Sequence, residues 1–422
     1  MAGSQKQDGP QLADNRDFRL LWLGQGLSQV GTQITVVALP LLAVVTLGGT
    51  PLQVSGLVAV EYLPSLVLGL LAGLLVDRME RRLVMLVGDF GRFLLLATVA
   101  GTALADVLDF PLLYVLIALV GVLTLCYDVA YQSGLPSLVH EDHLLAANTR
   151  LQSTQAVASG VGPALGGALA QVASAPFALL IDAVSYLLSG VTATRLSRIP
   201  AESAPAQRIR EQLREGLAAI RGDSLQWRLL GTAAVSNFFG AGIVGVYVVY
   251  VVRELDVSSF ELGYVFAAGA AGAVVAGLLA MRLTARVGPR VAILTGLAVS
   301  SLGDLAVVLA RGPHPVALVV LAVGQVFGQG GMVVVGANAM AWRQQVTPRR
   351  LLGRVLATAR TVNFGVAPLG ALALGGVATL ASPLTALLVG ALGTLSAVLW
   401  LATGRIAGSE PPPGGERPVM SG

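Results

Sequence analysis

Apolar residues in this chain come in long unbroken blocks, roughly at 20–47, 53–76, 84–106, 111–134, 145–173, 176–195, 228–252, 260–283, 289–310, 313–340, 353–379 and 382–404. A helix rises ~1.5 Å per residue, so about 20 apolar residues span the ~30 Å hydrocarbon core of a bilayer. Backbone in hydrocarbon must satisfy its own N–H and C=O groups, and a helix does so within one segment. The blocks therefore predict an all-α membrane protein with twelve transmembrane helices. Composition agrees: 12% of the 422 residues are charged, against about a quarter in soluble domains. The first block is far longer than the apolar region of a signal peptide, and no small-residue cleavage site follows it. One cysteine, Cys126, excludes an internal disulfide.

The basic residues are placed by loop. Of 27, only Lys6 is a lysine. Counted from an inside N-terminus, the inside loops carry Arg78, Arg81 and Arg82, then Arg195 through Arg228, then Arg282, Arg286 and Arg290, then Arg343, Arg349, Arg350 and Arg354. The outside loops carry only Arg253 and Arg311. Such asymmetry holds arginine-rich loops on the cytoplasmic face, so both termini are expected to be cytoplasmic. A net charge of +4 spread in this way gives no ground for nucleic-acid binding.

The two halves repeat each other. "LLAGLLVDRMERRLVMLVG" at 70–88 lies over "LLAMRLTARVGPRVAILTG" at 278–296, setting Arg78 over Arg286, Arg82 over Arg290 and Gly88 over Gly296; farther on, Pro176 falls over Pro383. Paired six-span halves are a transporter pattern, with the substrate site between them near the midplane. The chain then divides into a polar cytoplasmic tail (1–19), a first half (20–195), a linker (196–227), a second half (228–404) and a Gly/Pro-rich tail (405–422). Both tails are read as disordered. In the linker, Ile209, Leu213, Leu217 and Ile220 recur at helical spacing among charged residues, which predicts an amphipathic helix along the inner membrane surface.

"GLLVDRMERR" at 73–82 resembles the loop 2–3 signature of the major facilitator superfamily, through Gly73, Leu75, Asp77, Arg78, Arg81 and Arg82; Glu80 stands where that family has glycine. "NRDFRLLWLGQGLSQVGTQ" and the segment from Leu135 to Leu169 are similar to the bacterial macrolide-efflux and siderophore-exporter branch, the transmembrane secretion effectors. "GPALGG" (Gly162, Pro163, Gly166, Gly167) is similar to the fifth-span signature of the superfamily's antiporters, with Ala158 at its first glycine position. Small residues let helices approach closely in lipid, and Gly269, Gly272 and Ala273 of span eight offer a matching surface. The resemblance implies that Asp77, with Arg78, Arg81 and Arg82, forms an inner-gate latch. Asp77 would meet the start of span eleven near Gly353, and Arg81 would pair with Asp128. The alternative reading of the same charges is a topology anchor alone. The branch often has an acid in span one; this chain has Thr32.

An ionisable group inside a span is a functional candidate by default. Glu61 lies ~24 Å from the inner end of span two at helical rise and is the first candidate for proton coupling, ahead of Asp128, Asp182 and Asp304; a structural hydrogen bond or an arginine partner is the competing account. Asp89 is expected to neutralise itself on Arg92, three residues on. Gln25, Gln29, Thr32 and Gln33 of span one, Tyr131 and Gln132 of span four, Asn237 of span seven, Gln325 and Gln329 of span ten and Asn363 of span eleven must face a cavity or a neighbouring helix rather than lipid. As cavity lining they suit a large, partly polar and partly greasy solute.

Enzyme signals are poor. "HEDH" spaces His140 and His143 in a loop without a third ligand, so no metal site is expected, and no phosphate-binding G-x-x-x-x-G-K-[ST] loop occurs, which removes ATP drive from this chain. The reading is a secondary transporter of the bacterial cytoplasmic membrane, acting as a monomer without a cofactor. It exports an amphipathic small molecule, drug or secondary metabolite, driven by protons entering down their gradient. Its rivals are uptake, lipid flipping, or a membrane scaffold or sensor of the same fold. The arginine asymmetry yields a direct test. With Cys126 replaced, cysteines placed at Glu80 or Ser203 should react with a membrane-impermeant maleimide only after cells are opened; labelling of either in intact cells would overturn the topology.

Overall fold

The computed structural model describes residues 15–140, 143–199 and 209–402. Most of the expectation for the two tails, and residues 200–208 of the linker, fall outside this set. The elements are α1 (Arg16–Leu41), continued by a π-helical turn over Leu42–Thr46, α2 (Pro51–Asp77), α3 (Arg81–Leu104), α4 (Phe110–Leu138), α5 (Leu144–Val172), α6 (Ala175–Ala193), α7 (Ile209–Gly222), α8 (Ser224–Arg253), α9 (Ser259–Leu309), α10 (His314–Val346), α11 (Arg349–Leu380) and α12 (Pro383–Ala402). α9 is two spans in one: Gly288 adopts φ +79° and Pro289 follows it. Only glycine enters that conformation without strain, and proline removes a helical N–H, so the chain turns there between spans eight and nine. Among the described residues ten helices are long and apolar enough to cross a membrane. α9 supplies two spans, and α5, 29 residues long, joins them despite a face carrying Asn148, Gln152 and Gln155. Twelve spans result.

Helix starts are written locally. Thr50 and Gln53 form a capping box on α2, and Ser258 and Glu261 form another on α9. Asp109, Ser174 and Asp223 accept from the first turns of α4, α6 and α8. Each supplies an acceptor to N–H groups that have no partner within the helix.

In the first half α1 packs on α5 and α6, α2 on α4, and α3 on α4 and α6; in the second, α8 packs on α11 and α12, and α9 on α10 and α12. The repeat survives in detail. Gly88 of α3 lies against Tyr127 of α4, and Gly296 of α9 lies against the Gly331 carbonyl of α10. Pro176 and Pro383 each sit in the first turn of the last helix of their half. The linker helix differs from expectation. Leu217 and Ile220 pack with Leu230, Val355 and Ala359, and Glu215 pairs with Arg354. The described part of the apolar face of α7, Leu217 and Ile220, is therefore spent on protein at the start of α11; the side chains of Ile209 and Leu213 lie outside the described set.

The halves meet through α2 against α8 and α11, and through α5 against α9. At the end away from the linker this seam is backbone on backbone. A Cβ on Gly263 would lie 2.6 Å from the Pro163 carbonyl, and Gly167 abuts Ser259 and Gly263. Across the molecule, Ser55 is fully buried between Gly245 and Gly375, each of which would bring a Cβ to 2.6 Å from it. Arg253 donates to the Val44 carbonyl at 3.1 Å, and the Leu52 N–H to Thr379 Oγ1 at 3.2 Å. At mid-depth Tyr62 stacks on Phe364, with ring centroids 5.8 Å apart. At the linker end Gly353, at the start of α11, is exposed, with nothing among the described residues within 4 Å of an added Cβ. Among the described residues the close contacts between the halves thus gather at the far end.

This geometry predicts the effect of filling the seam. In a Gly167→Leu background the far end should part, and a Ser55→Cys thiol should react with a maleimide from that side at least tenfold faster than in the Ser55→Cys protein alone. Equal rates would mean that the glycine contact does not hold the end shut.

Candidate functional site

Two of the cavities between the helices are lined by candidate residues. The larger, roughly 640 Å³, sits between the halves and is lined from both. Gln33 of α1, Tyr62 of α2 and Pro163 of α5 face Asn237 and Tyr247 of α8, Phe266 and Asp304 of α9, and Gln325, Gln329 and Met332 of α10 across it. No Lys or Arg lines it among the described residues. Asp304 accepts from Thr394 of α12 at 3.1 Å. The smaller cavity, roughly 470 Å³, belongs to the first half. It is lined by Gln25 and Gln29 of α1, Asp128, Tyr131 and Gln132 of α4, and Asn148, Gln152 and Gln155 of α5.

The anticipated polar residues thus divide between two sites. Gln33, Asn237, Gln325 and Gln329 reach the shared cavity, and Gln25, Gln29, Tyr131 and Gln132 the other. Thr32 reaches neither: its hydroxyl pairs with Tyr186 at 2.9 Å and donates to the Ser28 carbonyl, in the seam between α1 and α6. Asn363 is also outside both, with Oδ1 buried and without a hydrogen-bond partner. Helical spacing identified the polar face of each span; whether a cavity or a helix opposed that face depended on tertiary packing.

The four candidate acids separate as well. Asp304 lines the shared cavity and Asp128 the smaller one. Asp182 is sealed, with no exposed surface; Thr35 donates to it at 2.5 Å and Ser185 at 3.0 Å, and Gly31 closes over it. Glu61 is exposed on α2, beside the Pro64 that seats on Gly121 of α4. Its neighbour Tyr62 takes the place in the cavity lining.

The expected Asp89–Arg92 pair forms, at 2.6 Å, and is more than a local neutralisation. Arg92 is 3% exposed. Its guanidinium lies 4.3 Å from the Tyr127 ring centroid on α4 and 4.1 Å from that of Tyr186 on α6, and Nε donates to the Gly88 carbonyl. Ser189 donates to Asp89 at 2.8 Å, and Tyr127 to Gln25 at 3.0 Å. One arginine thereby joins α1, α3, α4 and α6. The sequence offered the i,i+3 spacing of the pair; the two tyrosines that sandwich it carried no local signal.

In the loop 2–3 segment the Asp77 side chain is outside the described set. Arg82 donates to the Ala193 carbonyl at 3.2 Å and to that of Thr194, so it satisfies the last carbonyls of α6, where a cation is favoured. Arg78 is exposed, and the Arg81 N–H donates to the Ile199 carbonyl. The cations whose charge reaches Asp128 are Arg92 and Arg360, which replaces the expected Arg81–Asp128 pairing. "GPALGG" has two working faces: Gly162 and Gly166 seat α1 at Val30, Gln33 and Ile34, while Pro163 and Gly167 meet α9. Their partner on α9 is Gly263. Gly269 and Gly272 pack instead on Gln325 and Val326 of α10, a correction to the expected surface.

The profile of the transmembrane secretion effector family matches residues 12–411. An MFS-type transporter of Bacillus subtilis, YfiS, is 28% identical over 312 residues, 72% of either chain. Macrolide efflux protein A of Streptococcus pyogenes is 27% identical over 223 residues, 50% of this chain and 53% of the other. Among solved structures, a variant of the nucleoside transporter NupG superposes with a TM-score of 0.77 at 11% identity, over 91% of this chain and 98% of its own. A bacterial homologue of the iron transporter ferroportin, in an inward-facing state, gives 0.70 at 18% identity, over 92% and 98%.

The Arg92 cluster carries its own test. Removing one partner of a buried ion pair leaves an uncompensated charge and costs about 3–5 kcal/mol. Arg92→Gln and Asp89→Asn should each lower the thermal unfolding midpoint in detergent, and the double variant should recover part of the loss. Single variants as stable as the parent would show that the pair does not hold these helices together.

Proposed function

We propose, from the premise that this chain belongs to the transmembrane secretion effector family of major facilitator transporters, that it is a proton-coupled exporter of amphipathic compounds working by alternating access. The observation that carries the reading is the asymmetry of the seam. Backbone contacts at Gly167–Gly263 and at Ser55 close one end, Gly353 stands clear at the other, and a cavity shared by both halves lies between. On the reading that the arginine-rich loops are cytoplasmic, the sealed end faces outside, and the shared cavity would load from the cytoplasm, as an exporter requires.

The lining suits a large solute that is greasy along one side and hydrogen-bonding along the other. Tyr62, Tyr247, Phe266 and Met332 offer apolar surface, and Gln33, Asn237, Gln325 and Gln329 offer amides. The Streptococcus pyogenes relative, named for macrolide efflux, supports a substrate of that size. Asp304 is our choice for the coupling acid, since of the four intramembrane candidates it alone lines the cavity that both halves share. Solute would bind while Asp304 is charged and leave once it is protonated from outside. Each ~1.4 kcal/mol of difference between those states changes affinity tenfold.

Inside-out vesicles test this directly. Acidification of the lumen should drive accumulation of radiolabelled erythromycin or of another member of a panel of amphipathic antibiotics. Asp304→Asn should cut that uphill uptake at least tenfold while leaving exchange of labelled for unlabelled solute intact. No energised uptake across the panel would overturn export, and undiminished uphill uptake by Asp304→Asn would move the coupling to another acid.

A further inference from the structure

The smaller cavity is not needed to account for the seam or for the shared chamber, yet its chemistry is specific. Five glutamines, Gln25, Gln29, Gln132, Gln152 and Gln155, surround one carboxylate, Asp128. Gln25 receives the Tyr127 hydroxyl on its amide oxygen, which leaves its NH₂ for the cavity. Among the described residues none donates a hydrogen bond to Asp128. The two cations whose charge reaches it are engaged elsewhere. Arg92 is bound to Asp89 and to the Gly88 carbonyl between two tyrosine rings, and Arg360, on the opposite half, lies over Phe364. Asp128 is thus an intramembrane acceptor facing a polar chamber with no protein donor assigned to it.

Each carboxamide both donates and accepts, and so pairs with hydroxyl groups in either sense. A carboxylate pairs best with an ammonium, through a charge-assisted bond that gains strength where water is scarce. Resting on the transport reading above, we infer that this cavity is a head-group subsite for a hydroxylated, protonated amine, whose apolar remainder lies in the shared cavity. The two chambers are neighbours along the same helices: Gln29 and Gln155 line one, and Gln33 and Ser159, each one turn on, line the other. One turn is ~6 Å, so a single amphiphile reaches from Asp128 to the chamber between the halves. A volume of roughly 470 Å³ accommodates a compact polar head.

Head-group binding is measured apart from transport, by thermal unfolding of the full chain purified in detergent and phosphate buffer. The probes are N-methyl-D-glucamine, which has the charge and the hydroxyls; sorbitol, which has only the hydroxyls; and tetramethylammonium, which has only the charge. N-Methyl-D-glucamine should raise the unfolding midpoint saturably. Sorbitol and tetramethylammonium should need at least tenfold higher concentration for the same shift. Asp128→Asn should weaken the glucamine response at least tenfold; should it not fold, Gln152→Leu, on an exposed face of α5, should weaken it severalfold. Equal responses to glucamine and sorbitol, or a response unchanged in the variant that folds, would overturn the subsite. Failure here alongside energised antibiotic uptake in vesicles would remove only the head-group assignment, whereas glucamine binding without any uptake would remove the transport reading and leave the site.

Discussion

Close backbone contact between the halves is the interaction on which the rest of this structure depends. Water drives no association between helices in lipid, so the seam must be held by packing and by hydrogen bonds. Gly167 on Gly263, and Ser55 between Gly245 and Gly375, give that packing its shortest range. Such a seam has few intermediate states: a backbone either seats in the notch or leaves it. At Gly353, at the other end, no described residue makes a contact of this kind. The cavity between the halves begins at the same contact, since Pro163, which meets Gly263, also lines it.

The same residues show how one short segment does two jobs. Helical periodicity sends Gly162 and Gly166 to one face of α5 and Pro163 and Gly167 toward another. The first pair seats α1 within its own half, and the second meets α9 of the opposite half. A larger residue at either face would disturb a different part of the machine. The π-helical turn at the end of α1 belongs to this picture, since its Val44 carbonyl receives Arg253 from across the seam.

Fold and site were legible to different depths, for a physical reason. The twelve spans, the repeat, the linker helix and the glycine-rich signature are properties of local composition and period, and the chain carried them openly. Gly88 and Gly296 could be matched because each half solves the same packing problem between its third and fourth spans. Facing partners could not be read in this way. Thr32 and Gln33 are adjacent on α1, yet one meets Tyr186 and the other the shared cavity. Gly269 and Gly263 lie on one helix, yet only Gly263 meets α5. Glu61 is as deep in sequence terms as Asp304, but Tyr62 occupies its place at the cavity. Depth along a span is set by residue count; direction around it is set by neighbours.

The first half also arranges its charges in a way that bears on how it moves. The charge of the buried Arg92 reaches Asp89, Asp128 and Asp182 alike, and the fold treats the three acids differently. Asp89 holds the guanidinium directly, with Ser189 behind it. Asp182 is given two hydroxyls and no exposed surface. Asp128 alone faces open space, on the helix whose Tyr127 ring covers Arg92. A buried charge without a partner is expensive, so the acids that lock the helix packing are given donors from within the half, and the one turned to the cavity has no donor among the described residues. Rigid locking and an open acceptor are compatible because they are on separate residues. Arg92 ties four helices together, while Asp128 lines the chamber beside them.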